Sequence, residues 1–275
     1  MCAHGLFPDR VARALALRGD IPIDLPWAPR FLMRSDPRNL LVRMLYFFPL
    51  TGGDEPETFS VFADLIDDAR VFVDVGANQG LFTLVAAARN PKVRIYAFEP
   101  NPNVNALLVD NVAVNDWTDR VTVSCQAVSD RPGMVEFRVP ESPYAAVGAI
   151  VAVSRSRTGT VIEVPAVRLD DLLGDEEVDV VKIDVEGAES LVIQGAEQTL
   201  RRTRAAVILE VLEPYDYAGA ERLLRELAYD FYHLTPAGPV AAPSLVPDLN
   251  RAHRNYLCLP RGEEVLDRVR PAPHG

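Results

Sequence analysis

From residue 71 onward, apolar positions cluster into short runs separated by longer stretches of helical spacing. VFVDV (71–75), VRIYAFE (93–99), VTVSCQA (121–127), VDVVKIDV (178–185) and AAVILEV (205–211) are apolar, β-branched runs of strand length. Helical segments fall between several of them, at 80–89, 102–114 and 187–202. Strands apolar on both faces and alternating with helices belong to a parallel sheet covered on both sides. A further helix at 219–228 leads to YDFYHLT (229–235) and RNYLCLP (254–260), which no clear helix separates and which are candidates for an antiparallel pair. GMVEFRVP and TVIEVPAV read as an inserted β-hairpin bracketing a small-residue loop at 141–159. The expected fold is α/β: a doubly wound, Rossmann-like, mostly parallel sheet of about seven strands with helices on both faces.

Before residue 60 the pattern is irregular and proline-rich, with amphipathic helices expected near 9–18 and 56–67. The division expected is a cap or lid over 1–60, a main domain over 61–262 with the inserted hairpin at 133–167, and a tail at 263–275.

Composition narrows the class of partner. Hydrophobic content of 48% and charged content of 24% are ordinary for a soluble globular protein. The net charge of −11 repels nucleic acid and anionic lipid, so neither is expected as a partner. Three well-separated cysteines, Cys2, Cys125 and Cys258, form no metal spacing and no disulfide framework. The first residues lack the apolar stretch of a signal peptide. LLVRMLYFFPL (40–50) is short of the about 20 apolar residues that span a bilayer. A cytoplasmic protein is expected.

The chemistry concentrates at VFVDVGANQG (71–80). In open α/β sheets, ligands bind beyond the carboxyl ends of the strands where strand order reverses. The turn has Gly76 and Gly80 but not the middle glycine of a dinucleotide fingerprint, and no phosphate-binding P-loop sequence occurs. Asp74 would repel a phosphate and favour an ammonium, while Glu99 in YAFEPNP suits a ribose diol. A ligand with an amino-acid end, a ribose and no phosphate fits these charges, and S-adenosylmethionine is such a ligand. Each acid also has a plain structural reading: Asp74 as turn-former or helix cap, Glu99 as a solvated charge.

VFVDVGANQGLFT, YAFEPNP followed by LLVDNVAVN, LDDLL and VVKIDVEGAESLVIQGA together resemble the FkbM-type methyltransferases of the class I S-adenosylmethionine-dependent enzymes. GGDEPETFSVFADLI is similar to that family's lead-in, so the resemblance runs over roughly 52–212. It implies O-methylation of a hydroxyl on a sugar or secondary metabolite, with S-adenosylhomocysteine as product. By the same resemblance Asp74, Gly76, Asn78 and Gly80 line the methionine part of the cofactor, Glu99, Pro100 and Asn101 hold the ribose, and Gln126 and Ala127 flank the adenine. The acid that the wider class often places near the adenine amine is absent there, with Asp130 a little further on.

An alcohol nucleophile needs a base as it attacks. Asp184 and Glu186 in KIDVEG lie two apart and share a face if the chain is extended, which sets Asp184 by the cofactor and Glu186 toward the acceptor. Glu186 reads equally as a cap for a helix starting near Gly187. Lys182 is expected to pair with a carboxylate. Asp184, Glu186 and Glu210 together offer oxygen ligands for a divalent cation, but nothing in the spacing requires one and no metal is expected. His233 reads as structural, His4 and His274 lie in expected tails, and His253 is a candidate base at the site rim. The insertion, with Tyr144, Arg155 and Arg157, is either a lid over the acceptor or a variable surface hairpin.

The partner expected is a small-molecule or glycoside acceptor, for a monomer or homodimer. The rival readings are a nicotinamide-dependent oxidoreductase and a cofactor-binding protein without turnover.

Overall fold

Among the described residues, two strands and two helices precede the first strand that the hydrophobic pattern picks out. The computed structural model describes residues 17–36, 39–47, 55–140, 148–153, 158–248, 254–262 and 269. Most of the expected helix at 9–18, most of the expected tail, and Tyr144, Arg155, Arg157 and His253 lie outside the described residues. In place of an irregular segment, β1 (Gly19–Leu25) and β2 (Ala28–Ser35) form an antiparallel hairpin, followed by α1 (Leu40–Phe47) and α2 (Pro56–Ile66). The signal in GDIPIDL was strict alternation, since Ile21, Ile23 and Leu25 are buried while Asp20, Pro22 and Asp24 face out. The prolines masked it, yet an open strand edge tolerates proline.

The chain then alternates. β3 (Val71–Val75), α3 (Leu81–Arg89), β4 (Arg94–Phe98), α4 (Pro102–Ala113) and β5 (Val121–Ser124) come first. After an inserted sheet come α5 (Leu169–Leu173), β10 (Val180–Ile183), α6 (Glu189–Gly195), α7 (Glu197–Thr203) and β11 (Ala206–Glu210). The chain finishes with α8 (Ala218–Glu226), β12 (Tyr229–Thr235), β13 (Gly238–Ala242) and β14 (Asn255–Pro260). The main sheet has eight strands rather than about seven, in the order β13-β12-β14-β11-β10-β3-β4-β5. Its β11 to β5 portion is parallel, and the β12–β14 pair is antiparallel as expected. The additional strand, β13, folds back on β12.

The insertion is more than a hairpin. β6 (Ala127–Val128), β7 (Gly133–Val139), β8 (Ala149–Ile150) and β9 (Thr160–Val167) form a second sheet in the order β6-β9-β7-β8. The run expected as one strand at 121–127 breaks at Cys125–Gln126, and its end joins this second sheet.

Alternation within the central strands makes the two layers. Phe72, Val180, Ala206 and Ile208 pack into one apolar cluster with the hairpin, α2 and α3. Val71, Val73, Val75, Val181, Ile183, Val207 and Leu209 pack into another beneath α6, α7 and α8. Because side chains alternate with period two, Asp74, Lys182 and Glu210 fall on the hairpin-and-α3 side. Polar groups therefore gather on one face at the carboxyl ends of β3, β10 and β11. The chain from β3 crosses outward to β4, and that from β10 crosses the other way to β11, so the switch point lies between β3 and β10.

Candidate functional site

A cavity opens at this switch point, and the turn after β3 forms one end of it. The amides of Gly76 and Ala77 both donate to the Phe98 carbonyl, at 3.0 and 2.9 Å, which pins the turn to the end of β4. Gly76 (φ +80°) has no room for a side chain, because a Cβ there would run into the Asp184 carbonyl oxygen. A Cβ on Gly80 (φ +92°) would meet Leu108. Both glycines are thus demanded by neighbouring elements of the protein, whatever comes close from the cavity. Asn78 is left-handed at φ +52°, and its amide donates to Glu99 Oε2 at 3.0 Å.

Glu99 is the most strongly positioned polar group at this end. Its Oε1 accepts from the Asn101 amide at 2.8 Å, and Asn101 also caps α4 by accepting from Asn103. Burial, reinforced by the charges of Asp184 and Asp74 and opposed by the two backbone donors, pushes its carboxyl up to about 7. Gly76, Asn78, Glu99, Pro100, Gln126 and Ala127 all line the cavity, as does the apolar wall of Phe98, Val128, Phe137 and Ile150. β7 and β8 of the inserted sheet thereby contribute to the site.

Asp74, Gly80 and Asn101 stand behind the lining. Asp74 is fully buried, and its Oδ2 accepts from the Thr83 amide at 3.1 Å and the Thr83 hydroxyl at 2.7 Å. Asp74 thereby satisfies one of the free amides in the first turn of α3, whose N-cap is Gly80. Its other oxygen has no hydrogen-bond partner among the described residues. Burial raises its carboxyl, and Lys182, its register partner on β10, opposes the rise.

The other end of the cavity is acidic. Lys182, almost fully buried beneath the Phe82 ring at 4.7 Å, donates to Asp184 Oδ2 at 3.0 Å, which is the pairing expected of it. Burial works against the Asp184 charge, but Lys182, a hydrogen bond with Glu210 and Arg254 outweigh it and hold Asp184 low. Burial and the Asp184 charge push Glu210 up to about 10. Asp184 is the charged member of the pair and Glu210 the proton carrier.

Carboxylate oxygens of Asp184, Glu186 and Glu210 all lie within 4.8 Å of one another. Lys182 and Arg254 already set positive charge beside this group, with Arg254 at 3.7 Å from Glu210 and 2.9 Å from Glu55. The premise of an extended chain fails here, since β10 ends at Ile183 and Glu186 is left-handed at φ +54°. Asp184 and Glu186 reach the cavity wall all the same. Glu189, the first residue of α6, reaches back to accept from the amides of Gly187 and Val185 at 3.2 and 3.4 Å and is raised by burial to about 7.

Glu55 and Arg254 were missed by sequence reasoning, as was the apolar wall. Glu55 sits in the recognisable GGDEPETF lead-in, but no spacing ties it to Arg254. Asp130 accepts from Ser129 and does not line the cavity, while His233 stacks on Tyr256 at 4.8 Å.

The family model described as the Methyltransferase FkbM domain matches residues 74–231, which takes in both ends of the cavity's sheet framework. This chain belongs to that family. Among its relatives is Methyltransferase sdnD of Sordaria araneosa, 29% identical over 188 residues, covering 58% of this chain and 73% of the relative. The 2-O-methyltransferase NoeI of Sinorhizobium fredii is 31% identical over 149 residues, covering 49% and 60%. The 31-O-demethyl-FK506 methyltransferase FkbM of Streptomyces tacrolimicus is 30% identical over 179 residues, covering 54% and 67%. As a member of this family the chain is a methyltransferase. No helix among the described residues is long and apolar enough to cross a membrane.

Proposed function

We propose that this chain is an S-adenosylmethionine-dependent O-methyltransferase acting on a hydroxyl of a sugar or secondary metabolite. The observation that carries the reading is Glu99 at the end of β4. Each of its oxygens takes one backbone amide, and each retains a lone pair toward the cavity it lines. That is an acceptor pair for a ribose diol. The surroundings suit the cofactor: among the described residues no cation lines this end to bind phosphate, and Phe98, Val128, Phe137 and Ile150 offer an apolar seat for a purine. Two of the relatives carry O-methyl chemistry in their names, which supports a hydroxyl acceptor.

When bound, the cofactor supplies an activated methyl group. The chain's own residues do the rest. Gly76, Asn78 and Glu99 orient the donor, and Asp184, kept ionised by Lys182, favours positive charge beside it. Glu186 is assigned to take the proton that the acceptor hydroxyl loses at its oxygen. His253 is the competing base, and full turnover of His253→Gln across the pH range would eliminate it. Asp74 acts from behind the turn by fixing α3 rather than by meeting the cofactor's ammonium.

Calorimetric titration with S-adenosylhomocysteine and with NADH tests the cofactor. We expect micromolar binding of the first and none of the second, with Glu99→Ala weakening the first by about 1–3 kcal/mol. Well-folded protein that binds only NADH would overturn the reading.

A further inference from the structure

We propose that Asn111, on α4, is a positioning residue for the cofactor turn, locking the β1–β2 hairpin to the backbone that presents Asn78 and Glu99 to the cavity. The inference rests on the cofactor reading above, but its geometry does not touch the cavity.

Asn111 is fully buried in α4, a place where an aliphatic side chain would pack without the cost of burying an amide. Both ends of its amide are used, and neither serves the helix. Its oxygen accepts from the Arg34 amide of β2 at 2.7 Å, and its nitrogen donates to the Gln79 carbonyl at 2.8 Å. Four residues further on, in the turn just past the end of α4, Asn115 faces the same strand. Its oxygen accepts from the Leu32 amide at 2.8 Å, and its nitrogen donates to the Leu32 carbonyl at 2.9 Å. α4 and the turn that ends it thus take the place of a neighbouring strand along the open edge of β2.

The two asparagines differ in one respect. Asn115 divides its bonds between the hairpin and the Asn111 carbonyl, to which its nitrogen also donates at 2.7 Å, whereas Asn111 spends its donor on the turn. Gln79 is gripped from a second direction, because its side-chain oxygen accepts from Asn39, which follows β2, at 2.7 Å. Next to Gln79 stands Asn78, left-handed and donating its amide to Glu99. Such a backbone conformation is costly outside glycine and persists only when its surroundings over-determine it. The contacts run without a gap from Arg34 through Asn111, Gln79 and Asn78 to Glu99. The N-terminal hairpin is on this view a strut behind the turn.

The experiment compares Asn111→Leu with Asn115→Leu in the full chain, by thermal unfolding, S-adenosylhomocysteine titration and amide exchange at 78–80. Both variants are expected to melt several degrees lower, since both loosen the hairpin. Only Asn111→Leu is expected to weaken S-adenosylhomocysteine, by about ten-fold, and to speed exchange at the turn. Asn111→Asp, which keeps the shape and the acceptor but loses the donor to Gln79, should reproduce the split if the leucine variant does not fold. Equal loss of affinity in the Asn111 and Asn115 variants, or unchanged affinity in folded Asn111→Leu, would overturn the proposal. If the unaltered protein does not bind S-adenosylhomocysteine, the cofactor reading fails. Exchange rates then decide the strut alone, and equal rates at 78–80 in the two variants would overturn it.

Discussion

The two ends of the cavity are built on opposite principles. At the turn end, the central carboxylate, Glu99, is held by the backbone amides of Asn78 and Asn101, 21 and 2 residues away. At the acid end, side chains hold side chains, and the Arg254–Glu55 pair joins positions 199 apart. Backbone donors fix a carboxylate without adding net charge. Side-chain ion pairs instead make each member depend on its neighbour's protonation state, and removing one buried partner leaves the other uncompensated.

The largest expected effect follows from that dependence. Lys182→Met would strand Asp184 and Asp74 without their shared cation, and a loss of about 3–5 kcal/mol is expected in urea unfolding. A loss below about 1 kcal/mol would mean that the acid end relaxes as freely as the turn end. Gly76→Ala comes next, at about 2–3 kcal/mol, because a positive φ and the Asp184 carbonyl both oppose the new methyl group. A neutral result there would show that β3 and β10 separate easily.

Glu99 gives a pH-resolved test of the turn end. Its carboxyl ordinarily ionises near 4.5 and in the folded chain is pushed up to about 7, so between those values the folded state binds the extra proton. Its contribution to stability is therefore complete below about pH 4.5 and falls as pH rises toward 7. Glu99→Gln removes the titration, and the stability of the unaltered protein relative to the variant should decline by up to about 3 kcal/mol across that window. Glu189, raised similarly, is present in both proteins and cancels. Parallel stability curves would show that the Glu99 carboxyl ionises at the same pH in the folded and unfolded chain.

The smallest effect is expected from Arg254→Gln. Arg254 is partly exposed, so unpairing Glu55 should cost about 1 kcal/mol while S-adenosylhomocysteine affinity stays within two-fold. A large loss of affinity would join the two ends that the comparison separates.

The same contrast explains what was legible in the sequence. VFVDVGANQG and YAFEP announce the turn end because strand, turn and acid are contiguous, and the sheet follows from runs such as VVKID and VILEV. Residue type alone leaves Asp74 open between a cofactor contact and a structural anchor, and the fold adds its bonds to Thr83, nine residues on. The β1–β2 hairpin went unread because Pro22 and Pro29 suggested a loop, although Ile21, Ile23 and Leu25 alternate cleanly. The four-stranded insert was half seen, since β6 and β8 are only two residues each. Glu55 and Arg254 carry no pattern at all, for a pair so far apart is made by the fold and not by spacing.

The packing of Gly76 against the Asp184 carbonyl bears on how such a protein is re-engineered. The glycine turn and the KIDVEG segment form one interlocking joint, as a mortise fits one tenon. A turn grafted into a foreign sheet without its β10 partner would meet a wall cut to another shape. Chimeras between relatives should therefore be cut outside the β3–β10 pair, so that both halves of the joint come from one parent.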